Sequence, residues 1–212
     1  MVNNNRSWFL ANKTRYETEA IEPQLRFVAA MSKRLGEITP HFEAIPKKQG
    51  GSLFRIYKDT RFSKDKRPYR EYAAMRFSHQ RLGGVHGPCF YVHLEPGKIM
   101  FAAGIWQPSS EHLFLIRQRI KEKPMLWQDT LAQLDASALF SGIEGQRLVR
   151  PPQGFSKHDT YIEDIKYKSF FALHECTVAI ATSPDLIPTT LHTFNAAMPL
   201  LHFICDALGL DS

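Results

Sequence analysis

The sequence predicts an α+β fold built on an antiparallel sheet, and three observations predict it. Near both ends of the chain apolar residues recur at three and four, the period of a buried helix face, whereas between Leu53 and Trp106 the period falls to two. Within that middle stretch, "CFYVHLEPGKIMFAAGIWQP" sets two alternating runs on either side of Pro96 and Gly97, which reads as a β-hairpin. Strands bunched together with helices outside them do not make the strand–helix alternation of a parallel sheet.

The elements follow in order. Thr14 and Glu17 form a T-x-x-E capping box, and Leu25, Val28, Ala29 and Leu35 continue a long helix to Gly36 with a bend at Pro23. In "GGSLFRIYKD", Phe54 and Ile56 fall on one face of a strand and Leu53, Arg55, Tyr57 and Asp59 on the other. "YAAMRFS" gives a second strand, with Ala73, Met75 and Phe77 opposite Tyr72, Ala74, Arg76 and Ser78. Pairing Glu95 with Lys98 in the hairpin collects Phe90, Val92, Leu94, Ile99, Phe101 and Ile105 on one face. Cys89, Tyr91, His93, Lys98, Met100, Ala102, Gly104 and Trp106 take the other. Ser109 caps a helix striped by Leu113, Ile116 and Ile120, whose last turns carry Arg117, Arg119, Lys121 and Lys123 where the dipole favours cations. Further helices are predicted over 125–139 and 160–167. Leu191, Phe194, Met198, Leu201, Cys205 and Leu208 mark a last amphipathic helix, kinked at Pro199 and ended by Gly209.

At 212 residues and 43% hydrophobic, the chain has the means to bury ~70% of its unfolded surface. "RPPQGF" at 150–155 has the composition of a linker, but the piece after it is marginal alone, so residues 1–212 are read as one domain. No apolar run reaches the ~18 residues of a membrane span, and "MVNNNRSWFLANKTRYE" has no secretory apolar region. A cytoplasmic location without membrane partners is the default expectation. Cys89, Cys176 and Cys205 form no C-x-x-C pair and read as reduced, mostly buried thiols. A net charge of +6 is a mild bias toward polyanions.

The polar strand faces combine into one surface bearing Arg55, Tyr57, Tyr72, Arg76, Tyr91, His93 and Trp106, with small Ala102 and Gly104 among them. Arginine holds a carboxylate or phosphate bidentately, and Tyr, His and Trp stack or donate hydrogen bonds, so this surface reads as a pocket floor. The competing reading lays a second layer of helices over it, with the aromatics as half-polar core and the arginines in structural ion pairs. His93 and Glu95 stand at the H-x-E spacing of half a metal-binding facial triad, but no third ligand is fixed, and no metal or cofactor is assigned. Cys89 beside His93 is too common a pair to name a nucleophile. "RLGGVHG" lacks the spacing of a phosphate-binding loop, and no G-x-S-x-G elbow is present. The residues name no reaction.

"LFRIYKDTRFSKDKRPYRE", residues 53–71, holds seven Arg or Lys against three acids. Phe62 and Tyr69 are placed to pin this loop to the body, and Pro68 holds Arg67 extended, so it reads as the rim or lid of a pocket. Here a resemblance becomes specific. "NNNRSWFLANKTRYE", then "GGSLFRIYKDTRFSKDKRPYRE", then "YVHLEPGKIMFAAGIWQPSSEHLFLIRQRI" resemble the bacterial and fungal domain-of-unknown-function family 2461 over residues 3–123, with a looser match beyond. The resemblance implies a single α+β domain and carries no activity with it. The function expected from the residues is binding, or turnover, of a small anionic molecule. Arg55, Arg61, Lys64, Arg70 and Arg76 would hold its phosphate or carboxylate, and Tyr57, Tyr91, His93 and Trp106 would shape the pocket. The alternative is a nucleic-acid-binding or protein-interaction module that uses the basic loop 58–70.

Overall fold

Five antiparallel strands lie in the order in which the chain makes them. The computed structural model describes residues 3–84 and 86–212. In it β1 (Phe42–Glu43), β2 (Ala73–His79), β3 (Cys89–Glu95), β4 (Lys98–Ile105) and β5 (Phe170–Thr177) form one sheet in the order β1-β2-β3-β4-β5. The β3–β4 hairpin has the expected register: Glu95 faces Lys98 across Pro96 and Gly97, and Cys89 faces Gly104. Gly97 takes φ +97°, a turn conformation that favours glycine. Gly104 is required for a different reason: with φ +139°, a β-carbon there would lie 2.2 Å from the Phe170 carbonyl oxygen on β5.

Alternation along the paired strands sends Met75, Phe77, Phe90, Val92, Phe101 and Ile105 to one face, where all six are buried. The helices cover that face. Their contributions are Val28 and Met31 from α3 (Glu22–Arg34), Ile116 and Ile120 from α4 (Ser110–Glu122), and Trp127 and Leu134 from α5 (Pro124–Ala136). After the short α6 (Ile162–Ile165), Leu191 and Phe194 come from α7 (Leu186–Ala196) and Leu200, Leu201 and Ile204 from α8 (Met198–Ala207). One apolar cluster runs from Ile21 to Cys205, and no side chain of the opposite sheet face belongs to it. The fold is therefore α+β with helices on one side of the sheet, and the expected alternative of a second helical layer does not hold among the described residues. No described helix is long and apolar enough to cross a membrane.

Four expectations are corrected. The N-terminal helix starts earlier, at α1 (Arg6–Ala11), where Asn5 Oδ1 accepts from Trp8 N at 2.9 Å. The Thr14–Glu17 capping box does not form; α2 (Lys13–Tyr16) and a π-helical turn at Glu17–Ile21 run on into α3, and Glu17 pairs with Lys48 at 2.7 Å. The strand predicted from Leu53 to Asp59 is only an extended segment: Leu53 bridges Met75, and Tyr57 bridges Tyr69 outside the sheet. The final helix is two helices parted at Ala197, with Pro199 in the first turn of α8, where its missing N–H costs nothing.

β1 and β5 have no counterpart among the predicted elements. In β5 both Phe170 and Ala172, facing the helices, and Phe171 and Leu173, facing away, are apolar, so no alternation marks the strand.

Phe90 lies at the junction of sheet and helices, fully buried, its ring stacked 4.4 Å from Phe194 and tilted against Phe42 at 5.0 Å. Phe90→Ala is expected to cost about 3–5 kcal/mol, read as a lower midpoint at unchanged slope in urea unfolding. A loss near zero would place this contact outside the cooperative core.

Candidate functional site

The second face of the sheet is open. The registers place Arg76 and Ser78 of β2, Cys89, Tyr91, His93 and Glu95 of β3, Met100, Ala102 and Gly104 of β4, and Phe171 and Leu173 of β5 on it. Tyr91, Met100, Phe171 and Leu173 are half-buried, and Trp106, just past β4, is 49% exposed. Phe54 joins this face because Leu53 is the residue that points to the core. Phe54 N donates to Ala74 O at 2.9 Å and Arg76 N donates to Ser52 O at 2.8 Å, which fixes the segment against the edge of β2.

Two guanidiniums converge on the Phe54 ring. Arg76 lies 5.5 Å and Arg70 5.6 Å from its centroid, and the ring meets Tyr91 edge-on at 5.8 Å. Arg70 also donates to the Tyr72 hydroxyl at 2.9 Å. Among the described residues neither arginine has a carboxylate partner. Cation–π contacts hold them in place without neutralising them.

The basic loop behaves otherwise, because its acids are consumed within it. Arg61 pairs with Asp59 at 2.8 Å, Lys58 and Arg67 both pair with Asp65, and Arg67 also reaches Glu71 at 2.7 Å. The Arg61 side chain holds the Asp59 carboxyl down at about 2. Phe62, expected as an anchor, is 96% exposed, whereas Tyr69 is buried against Phe9 at 4.4 Å. Tyr57 leaves the sheet for the same neighbourhood, 6.5 Å from Phe9.

A groove of about 410 Å³ opens where β1 and the 52–54 segment share the edge of β2. Arg55, Arg76, Phe54, Ser78 and Glu43 line it, together with the glycine backbones of 50–51 and 83–84. Two cations against one carboxylate leave the lining at +1.

Next to Arg76, β3 carries a polar row. The Tyr91 hydroxyl lies 3.1 Å from His93 Nδ1, and His93 Nε2 lies 3.3 Å from Glu95 Oε2, within ion-pair distance but outside hydrogen-bond geometry. In its neutral form the imidazole, assigned from these partners, carries its proton on Nε2 and accepts from the phenol on Nδ1. Tyr72 stacks over His93 with centroids 4.4 Å apart. His93, then Lys98, holds the Glu95 carboxyl below the usual carboxylate range. Burial, with a smaller effect of Tyr72, pushes the Tyr91 phenol up to about 12, and burial pushes the Cys89 thiol up to about 11 against the opposing charge of Arg76. Cys89, separated from His93 by Tyr91 on the same face of β3, thus keeps its proton and is not an activated nucleophile. No group of three His, Cys, Asp or Glu among the described residues is placed to hold a metal ion.

Of the sequence candidates, the structure brings together Arg70, Arg76, Tyr91 and His93, sets Arg55 on the adjoining groove with Arg76, leaves Tyr57, Arg61 and Lys64 on the loop side, and sets Trp106 at the far strands against Phe171. Sequence reasoning missed Phe54, Ser78 and Glu43. Two adjacent apolar residues, Leu53 and Phe54, left the parity of that segment to its polar members, and they pointed the wrong way.

Fold and site together define an α+β protein with helices on one face of its sheet and, on the other, an arginine-bearing surface with no second helical layer among the described residues. Residues 1–203 match the family described as a conserved hypothetical protein, DUF2461, and the chain belongs to that family. No curated protein matches the sequence.

Two titrations check these environments. The Tyr91 phenol keeps its proton to about 12 in the fold, whereas an unfolded tyrosine loses it near ~10. Between these values the folded state holds the extra proton, so stability falls as pH rises, and Tyr91→Phe is expected to remove that part of the fall in alkaline denaturation. With DTNB at neutral pH, half-buried Cys176 is expected to react on the native protein, and Cys89 and Cys205 only after unfolding.

Proposed function

We propose that the protein binds a small carboxylate- or phosphate-bearing molecule at the edge of the open sheet face, where Arg70 and Arg76 meet around Phe54 and Arg55 lines the adjoining groove with Arg76. The observation that carries this reading is the pair Arg70 and Arg76, held over one aromatic ring with no carboxylate partner among the described residues. Like charges held together are relieved by an anion, and a planar guanidinium grips two oxygens at once. The adjoining groove of about 410 Å³ has the size of a small-molecule site. Ser78 adds a hydroxyl to its wall. A cytoplasmic setting fits the three free thiols.

The alternative, nucleic acid on the basic loop, has less support because Lys58, Arg61 and Arg67 already spend their charge on Asp59, Asp65 and Glu71.

A thermal-melt panel of small phosphates and carboxylates tests the proposal. A ligand at 100 times its Kd adds ~2.7 kcal/mol, or roughly 5–10 °C for a chain of this size. The shift is expected to vanish in Arg76→Ala, shrink in Arg55→Ala and persist in Arg61→Ala. A panel without a shift, or one with equal shifts in Arg76→Ala and the parent, overturns it. Tight binding of single-stranded DNA at about 50 mM salt that falls steeply with added salt transfers the function to the loop.

A further inference from the structure

The groove beside Arg76 holds charge of both signs. Glu43 on β1 stands opposite Ser78, so the two share the open face, and Arg76 is the next residue of β2 on that face. Arg55 lines the same groove, and among the described residues none of these three charged side chains belongs to an ion pair. Diagonal neighbours on antiparallel strands are ~7–8 Å apart, a gap that glutamate and arginine side chains can close. Here it is not closed.

The edge of β2 accounts for the separation. Phe54 N donates to Ala74 O, which sets the Phe54 ring two residues from Arg76 on the side away from Ser78. Arg76 engages that ring, its guanidinium 5.5 Å from the centroid, and Arg70 meets the same ring at 5.6 Å. Glu43 belongs to the other end. Ala74 and Ser78, which Phe54 and Glu43 face, are four residues apart on one strand, or ~13 Å. Short Ser78 and the backbones of two glycine pairs, 50–51 and 83–84, complete the lining there. A β-carbon at Gly50 or Gly84 would meet nothing within 4 Å, so the groove is open beside them.

Each end of the groove therefore carries charge of one sign. A simple anion satisfies Arg76 and is repelled by Glu43, and a simple cation meets the reverse. A molecule bearing an oxyanion and an ammonium is complementary to both ends. We propose that the ligand is a small zwitterion, its carboxylate or phosphate at Arg76 and its ammonium at Glu43, with a spacer of several bonds passing over Ser78. This rests on the anion-binding reading and specifies the class of molecule bound. The unpaired Glu43 at the far end of an arginine groove of about 410 Å³ carries it.

Calorimetric titration of the full chain with matched pairs tests it: acetate and glycine, butyrate and 4-aminobutyrate, hexanoate and 6-aminohexanoate, propyl phosphate and 3-aminopropyl phosphate. Within each pair the amino group is the difference. In the longer pairs it is expected to raise affinity about ten- to a hundredfold, and in glycine to add little, because the two charges sit too close together to span the gap. Glu43→Gln, at an exposed position, should abolish the gain and tighten the plain anions that the carboxylate repels. Arg76→Ala should weaken both members of every pair. Equal affinity within every pair overturns this proposal and leaves the anion site standing. A gain that survives Glu43→Gln overturns it as well, since the ammonium then lies elsewhere. Failure of every anion and every zwitterion removes both readings. Hexylamine bound as tightly as 6-aminohexanoate also removes both, because the carboxylate then contributes nothing.

Discussion

Everything on the open face depends on the register of one hairpin. With Glu95 opposite Lys98, Phe90, Val92, Phe101 and Ile105 meet the helices, and Tyr91, His93, Ala102 and Gly104 face away. A slip by one residue would exchange the two sets, setting Tyr91 and His93 against Phe194 and putting four large apolar side chains in water. Core burial therefore pays for the geometry of the site. β2 and β5 inherit the parity through their own pairing, which aligns Arg76 with Tyr91 and Gly104 with Phe171.

Charge is sorted with equal consequence. The loop of 58–70 holds most of the chain's excess cations, yet its aspartates sit two residues from the arginines they bind, Asp59 to Arg61 and Asp65 to Arg67. Such pairs on an exposed loop are worth ~0–1 kcal/mol each, so they shape the loop more than they stabilise the protein. Their effect on function is subtractive. They remove cations from an attractive but diffuse patch and leave Arg70 and Arg76, which are held by aromatic faces, as the concentrated positive feature.

Much of this was legible in the sequence, for identifiable reasons. The hairpin announced itself because Pro96-Gly97 separates strands with one polar and one apolar face. α4 did so because Ser109 caps it and its stripe is regular. β5 stayed hidden because Phe171 and Leu173 are apolar on an open face, the feature that makes that face a candidate binding surface. The start of the N-terminal helix was misplaced because a T-x-x-E match outweighed an asparagine cap nine residues earlier. At the site, Arg76, Tyr91 and His93 followed from parity alone. Phe54 did not, because its neighbour Leu53 was equally apolar, and only the hydrogen bonds from Phe54 to Ala74 and from Arg76 to Ser52 decide between them.

The uncommitted arginines are the strongest sign that this surface is kept for something. A half-buried guanidinium beside apolar side chains is destabilising unless its donors are satisfied, and a chain selected for stability alone places a carboxylate opposite. Here the nearest carboxylates in sequence, Asp65 and Glu71, are held by Lys58 and Arg67, and Glu95 is held by His93 and Lys98. These three acids are thus engaged elsewhere, whereas Glu43, opposite Ser78 on β1, shares the groove with Arg76 without pairing with it.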